Sequence, residues 1–271
     1  MKGVRVANAP VSFGAFEATG GPDVPAAEDV LAAIAAGGYE GTELGPPGYL
    51  GNAETLPATL ARHDLVLTGG YVPIAFTEPH DLDELDLVLD LFEAAGAPTA
   101  RPVLADAGPR SGKTDWQRFA EGVRRAAEHA RARGFAPTFH HHAGTRVESP
   151  AEIERLLERT DVPLLLDSGH LALAGGDPVA ALRDWRERID YVHLKDVRAE
   201  ATEWALADVW RRGGFCELGA GIVALDAFLL ELERPGYAGW VVVEQDALPG
   251  DLAGARESQA RNRRWLAERG I

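Results

Sequence analysis

Pro137-Thr138-Phe139-His140-His141-His142 is a short β-type run that ends on three imidazoles. Three later stretches are built the same way: Leu164-Leu165-Leu166 ends on Asp167, Tyr191-Val192 on His193, and Val241-Val242-Val243 on Glu244. Singly, a His or Asp at a strand end is an ordinary hydrogen-bonded residue. Four in sequential order, each followed by turn-forming or polar residues such as Ala143-Gly144-Thr145, Ser168-Gly169-His170, Lys195-Asp196 and Gln245-Asp246, occupy one structural place in a repeated unit. The pattern describes a mixed nitrogen and oxygen site for one divalent cation at the carboxyl ends of parallel strands.

The repeat extends through the chain. Strand-like runs are expected at 4–10, 41–45, 65–71, 100–104, 137–142, 163–167, 191–195 and 239–245, and amphipathic helical patterns at 26–36, 53–62, 82–95, 115–133, 150–157, 178–188, 225–233 and 254–268. Ser149-Pro150 and Asp177-Pro178 place a capping residue before a proline in a first helical turn. Eight βα units in 271 residues predict a single (β/α)8 barrel over 1–271, an α/β fold whose active site lies in the loops after the strands. The longest interruption, 197–221, has a helical look from 200 to 211 and is expected to be an insertion folded over the barrel mouth.

Composition excludes several classes. A net charge of −15 opposes nucleic-acid binding, which needs cationic surface to replace phosphate counterions. One cysteine, Cys216, excludes an intramolecular disulfide, and no run has the length of a membrane span. Met1-Lys2-Gly3-Val4 leads into the first strand without a secretory apolar region, so the expected location is cytoplasmic.

Strand alternation sorts the residues by face. On the fifth strand Thr138, His140 and His142 share one side while Phe139 and His141 share the other. Phe139 belongs against the helices, so His140 is the inward ligand candidate, His142 a second inward group at the rim, and His141 the competitor. The same parity turns Asp167, His193, Lys195, Glu244 and Asp246 inward, with Leu166, Val192, Leu194 and Val243 outward. Glu43 joins them from the second strand.

The runs His140-His141-His142-Ala143-Gly144-Thr145, Leu166-Asp167-Ser168-Gly169-His170, Val192-His193-Leu194-Lys195-Asp196-Val197-Arg198 and Gly239-Trp240-Val241-Val242-Val243-Glu244-Gln245-Asp246 resemble the inosose (2-keto-myo-inositol) dehydratases of the xylose isomerase-like TIM barrel superfamily. The likeness is dense from 137 to 246. Before that, only Ala9-Pro10-Val11-Ser12-Phe13-Gly14 and Glu43 resemble the family. The resemblance implies a divalent ion, Mn, Co or Mg with Zn admissible, held by His140, Asp167, His193 and Glu244. It places His170 near substrate or metal. Asn8, Phe13, Arg198 and Asp246 are the expected substrate contacts. Sugar epimerases and isomerases of the superfamily usually carry Glu on the fifth strand; this chain has His140 there, which favours a one-sided reaction.

The implied chemistry is removal of a proton α to the carbonyl of a keto-cyclitol or ketose. Glu244 and Glu43 are the candidate bases, on the expectation that a partly desolvated carboxylate has its pKa raised towards neutrality. Lys195, His142 or His170 would protonate a departing β-hydroxyl. Without a placed leaving group the same enediolate is reprotonated, as in an isomerase or epimerase acting on a sugar or sugar phosphate. A noncatalytic sugar-binding barrel is a further alternative. An abasic-site endonuclease fits worse, because residues 65–76 hold no histidine and His193-Leu194-Lys195-Asp196-Val197 does not continue as a His-x-Asp-x-His pattern. The expected partner is a small polyol or sugar, with no nucleic acid and no membrane, and a homo-oligomer is admitted. Gly219-Ala220-Gly221-Ile222-Val223-Ala224 matches a dinucleotide-binding string, but a Rossmann unit needs further parallel strands, so it reads as a turn, with backbone amides near a substrate oxygen as an option.

Overall fold

In the computed structural model, which describes residues 1–16, 23–78, 82–108, 110, 113–234, 236–246 and 250–271, the β-type runs pair side by side because each leaves its backbone groups to a neighbour. In chain order the strands are β1 (Arg5–Asn8), β2 (Gly41–Glu43), β3 (Val66–Ile74), β4 (Arg101–Asp106), β5 (Thr138–His140), β6 (Leu164–Asp167), β7 (Ile189–Leu194), β8 (Asp196–Val197), β9 (Phe215–Cys216) and β10 (Trp240–Val243). β1 to β7 and β10 form a closed parallel barrel in the order β1-β10-β7-β6-β5-β4-β3-β2. The expected eight-stranded barrel is therefore the fold. β8 and β9 stand apart as a two-stranded antiparallel ribbon.

The two faces of the strands divide as alternation requires. Ala7, Val103, Leu165, Tyr191 and Val242 fill the barrel interior. Leu166, Val192, Leu194 and Val243 pack outward into one large apolar layer beneath the helices. Around the barrel run α1 (Ala27–Ala36), α2 (Leu56–Arg62), α3 (Asp83–Ala94), α4 (Trp116–Ala132), α5 (Pro150–Leu157), α7 (Pro178–Asp184), α9 (Leu225–Glu233) and α10 (Leu252–Ala267). The two proline-marked starts hold. The Glu152 carboxylate accepts from Ser149 N–H at 3.0 Å and its hydroxyl at 2.8 Å, and Asp177 accepts from Val179 N–H at 2.8 Å. Such caps satisfy amides that the helix itself leaves open, for roughly 1 kcal/mol each.

Two elements depart from expectation. Ser168-Gly169-His170, read as a turn, opens helix α6 (Ser168–Leu173), and Asp167 is its N-cap: Oδ1 accepts from His170 N–H at 2.8 Å. The insertion is not one helix from 200 to 211. A 3-10 stretch (Ala199–Glu203) is followed by the short helix α8 (Leu206–Arg211), and both rest on a small core of Val197, Ala201, Val209 and Phe215.

The amides of the glycine string 219–221 are all taken within the chain, that of Ala220 by the Glu217 carbonyl at 2.9 Å. Buried Asp196 takes the other two: Oδ2 accepts from Gly219 and Gly221 N–H at 2.9 and 3.0 Å, and Oδ1 from Val197 and Val223 N–H at 2.9 and 3.1 Å. A Cβ on Gly221 would stand 2.3 Å from both Asp196 Oδ1 and the Val197 carbonyl, so no larger residue fits. The turn is thus an internal anchor between the insertion and α9, which corrects the idea that its amides face a substrate.

Candidate functional site

The inward ends of β2, β5, β7 and β10 carry polar side chains that surround a cavity of about 400 Å³ at the carboxyl end of the barrel, with Ala9 after β1 and Val103 of β4 as apolar lining. Glu43, His140, His142, His170, His193, Lys195, Glu244 and Asp246 line it, facing Pro10, Val11, Phe16 and Tyr71, with Trp210 of the insertion at one side. Asp167 lies just behind, fully buried.

At the centre, His193 bridges two carboxylates. Nε2 lies 3.0 Å from Glu43 Oε1, and Nδ1 lies 3.1 Å from Glu244 Oε2 and 3.7 Å from Asp167 Oδ2. Burial alone would lower its pKa, but Glu244 and Glu43 outweigh that and hold it well above the ordinary histidine value. Tyr191, two residues earlier on the same face, donates to Glu43 Oε1 at 2.9 Å. All these contacts fall on Oε1, which leaves Glu43 Oε2 as the oxygen available to the cavity.

Lys195 is the second hub, and it is 1% exposed. Its Nζ lies 2.7 Å from Asp246 Oδ1, 2.9 Å from Glu244 Oε2, 3.3 Å from Asp167 Oδ2 and 3.2 Å from His170 Nε2. Burial disfavours the ammonium, yet Asp167, Asp246 and Glu244 outweigh it, so its pKa is well above the usual lysine value. The reciprocal effect falls on Glu244: burial would raise its pKa, and His193 and Lys195 together drive it down instead. This corrects the expectation of a Glu244 tuned towards neutrality. Among the described residues Lys195 is the one lysine or arginine lining the cavity.

The other imidazoles that line the cavity are shifted in the opposite direction. Burial, then His193, pushes His140 well below the ordinary value, and burial, then His142 and Lys195, does the same to His170. His142 Nδ1 lies 2.8 Å from the Ala143 carbonyl, so that nitrogen carries the proton and Nε2 is the acceptor. Its ring lies 3.8 Å from that of His170 and is stacked on Trp210 at 6.1 Å.

A divalent cation needs donors that converge and give up their protons to it, so on His193 it would replace the proton that Glu244 and Glu43 favour there. His140 Nδ1 is a buried atom without a hydrogen-bond partner among the described residues, while Asp167 Oδ2 and His193 Nδ1 meet the ion-pair partners given above. Ligand atoms of His140, Asp167 and His193 lie within 4.8 Å of one another, and His193 shares a second such group with Glu43 and Glu244. Two imidazoles and two carboxylates suit Mn, Co, Mg or Zn, and the residues present fit the group.

Other expected contacts lie elsewhere. Asn8 points outward and donates to Gln259 Oε1 at 2.8 Å on α10, because in β1 it is Ala7 that faces the interior. Phe13 is buried in the outer apolar layer. Arg198 donates to the Gly213 carbonyl at 2.9 Å inside the insertion. His141 faces away from the cavity, and its Nε2 accepts from Asp167 N–H at 3.1 Å. Of the residues that the sequence reading did not single out, Tyr191 was legible, since it shares the parity of His193. Phe215 was not, because only the ribbon fold brings its ring 4.8 Å from Lys195 Nζ.

The family described as Xylose isomerase-like TIM barrel matches residues 31–269. The inosose dehydratase of Lacticaseibacillus casei is 31% identical over 250 residues, covering 82% of this chain and 83% of its own. Among solved structures, a xylose isomerase-like TIM barrel/4-hydroxyphenylpyruvate dioxygenase fusion protein superposes with a TM-score of 0.76 at 24% identity, covering 97% of this chain and 42% of that longer one. An L-ribulose 3-epimerase superposes at 0.73 with 17% identity, covering 98% and 94%. The chain belongs to the xylose isomerase-like TIM barrel family and is an inosose dehydratase-like member of it.

Proposed function

We propose that this protein is a lyase that removes water from a keto-cyclitol of the inosose type by taking a proton α to its carbonyl. The observation that supports it best is Lys195, a buried ammonium beside Glu244 and Asp246, across the His193 bridge from a carboxylate with one free oxygen, Glu43. The sequence likeness to an inosose dehydratase points the same way.

His140, Asp167, His193 and Glu244 would hold one divalent cation. When bound it supplies Lewis-acid polarisation of the substrate carbonyl, which acidifies the neighbouring C–H.

The chain's own groups divide the remaining work. Glu43 Oε2 takes the α-proton, its orientation held by Tyr191 and His193 on Oε1. The C–H electron pair moves into an enolate. That pair then expels the β-hydroxyl, which leaves as water with a proton from Lys195 Nζ. His142 Nε2 is the acceptor nitrogen that orients a substrate hydroxyl, and His170 Nε2 meets Lys195 Nζ at 3.2 Å, which makes Lys195 the first choice of acid over these two imidazoles. Trp210, Tyr71 and Val11 exclude bulk water from the cavity. Loss of one β-hydroxyl converts an α-hydroxy ketone into an enone whose hydroxyl is enolic, so the product relaxes to a diketone.

The test is 2-keto-myo-inositol in deuterated buffer, followed by NMR and by ultraviolet absorbance. Dehydration and a new absorbance are expected, with a loss of roughly 10²- to 10⁴-fold in Lys195→Met at unchanged metal content. Interconversion of ketose epimers, with no absorbance change on any keto-cyclitol, would move the assignment to an isomerase. Tight binding of polyols with neither deuterium incorporation nor product would instead describe a binding protein.

A further inference from the structure

Two aromatic side chains of the insertion between β7 and α9 converge on one ammonium, Trp210 from the cavity lining and Phe215 from behind it. Trp210 Nε1 donates to Asp246 Oδ2 at 3.1 Å, and the other oxygen of that carboxylate accepts from Lys195 Nζ at 2.7 Å. Phe215 of β9 presents its ring 4.8 Å from the same Nζ. The aliphatic stem of Lys195 lies over Gly169, where any Cβ would approach its Cγ to 2.7 Å.

We infer that the insertion is a positioning device for Lys195, with Trp210 as a positioning residue acting through Asp246 and Phe215 acting through the ammonium itself. A lysine has four rotatable bonds and about 2 kcal/mol of rotamer entropy, so a buried one needs restraint to act at a single point. Three carboxylates compete for this ammonium: Asp167 and Glu244 draw it towards the strand ends, Asp246 towards the rim. The indole hydrogen bond fixes Asp246, and a fixed Asp246 holds Nζ at the rim, where a hydroxyl departs. Without the indole, Asp246 turns to solvent and Nζ falls back on Glu244 and Asp167. For the reaction this rests on Lys195 being the donor to the departing hydroxyl, as proposed above. The geometric part does not depend on it.

Two measurements test the inference. With 2-keto-myo-inositol in deuterated buffer, the ratio of dehydrated product to deuterium in recovered substrate reports how often an α-carbanion goes forward. Trp210→Phe keeps an aromatic ring and removes the donor, and the ratio is expected to fall about tenfold, the size of one hydrogen bond to a charged group. Phe215→Leu is expected to lower it about threefold. Wild-type ratios in both variants would overturn the positioning role. Independently of activity, the indole N–H signal that disappears in Trp210→Phe is expected to be protected from solvent exchange and to move in Asp246→Asn. A freely exchanging signal, unmoved by Asp246→Asn, would overturn the hydrogen-bonded link. If the wild type neither exchanges nor dehydrates any ketone, the lyase assignment fails while the indole signal still decides the link.

Discussion

His140 and His141 are neighbours in sequence and face opposite sides of β5. His140 looks into the cavity with a buried Nδ1 free of partners, whereas His141 Nε2 accepts from the Asp167 amide. Their substitutions therefore have different signatures. His140→Ala should lose divalent-metal affinity by a larger factor than His141→Ala, measured by titration calorimetry. His141→Ala should instead lower the urea midpoint, because a buried amide without an acceptor costs about 1–3 kcal/mol. Equal metal affinities in the two variants would contradict the facing of β5. At this scale the sequence was informative, since alternation alone separated the two histidines. Asn8, expected as a substrate contact, lies against α10 instead, because parity in β1 gives the inward place to Ala7.

The ribbon of β8 and β9 is the element that the sequence described least. Its place depends on Asp196, whose carboxylate binds backbone amides at both ends of a 27-residue span. Gly221→Ala would drive a methyl into that carboxylate and into the Val197 carbonyl. We expect a loss of about 1–3 kcal/mol, the usual cost of overpacking, read in thermal or urea unfolding. Cys216 reports the same element. Its thiol is 2% exposed, and burial, then Asp196, pushes its pKa up to about 12. At pH 8 the thiolate is then on the order of one part in 10⁴, so native protein should resist alkylation for as long as the ribbon stays closed. Gly221→Ala should label faster than wild type under native conditions. An unchanged rate would mean that the anchor does not hold the ribbon. The helical reading of 200–211 failed because the segment buries few apolar residues of its own, so the small core beneath it, with Val197 and Phe215, decides its path.

For the whole molecule, the site gathers Glu43, Glu244, Asp246 and Asp167 around Lys195 and His193, and a bound divalent cation would relieve the acidic excess. Added Mn²⁺ should raise the melting temperature, by about 2.7 kcal/mol of stability at a hundredfold excess over Kd, and a chelator should reverse it. Asp167→Ala should abolish the shift while the far-ultraviolet circular dichroism stays that of a folded barrel. The same shift in Asp167→Ala would place the cation elsewhere.

The sequence by itself determined the barrel, because alternation and helical periodicity are local properties that parallel strands and covering helices read directly. It also determined which tips face inward at β2, β5, β6, β7 and β10, since parity follows from the strand alone. Tertiary structure decided the partners. Asp246 and Trp210 are 36 residues apart, and His193 and Glu43 are separated by 150. Whether a buried lysine is a rim salt bridge or a held proton donor depends on which carboxylates converge on it, and no periodicity encodes that convergence. The conversion of Ser168-Gly169-His170 from turn to helix has the same origin: Asp167 caps α6 with Oδ1 while Oδ2 faces Lys195 and His193, a division of one carboxylate that becomes visible only when strand and helix meet.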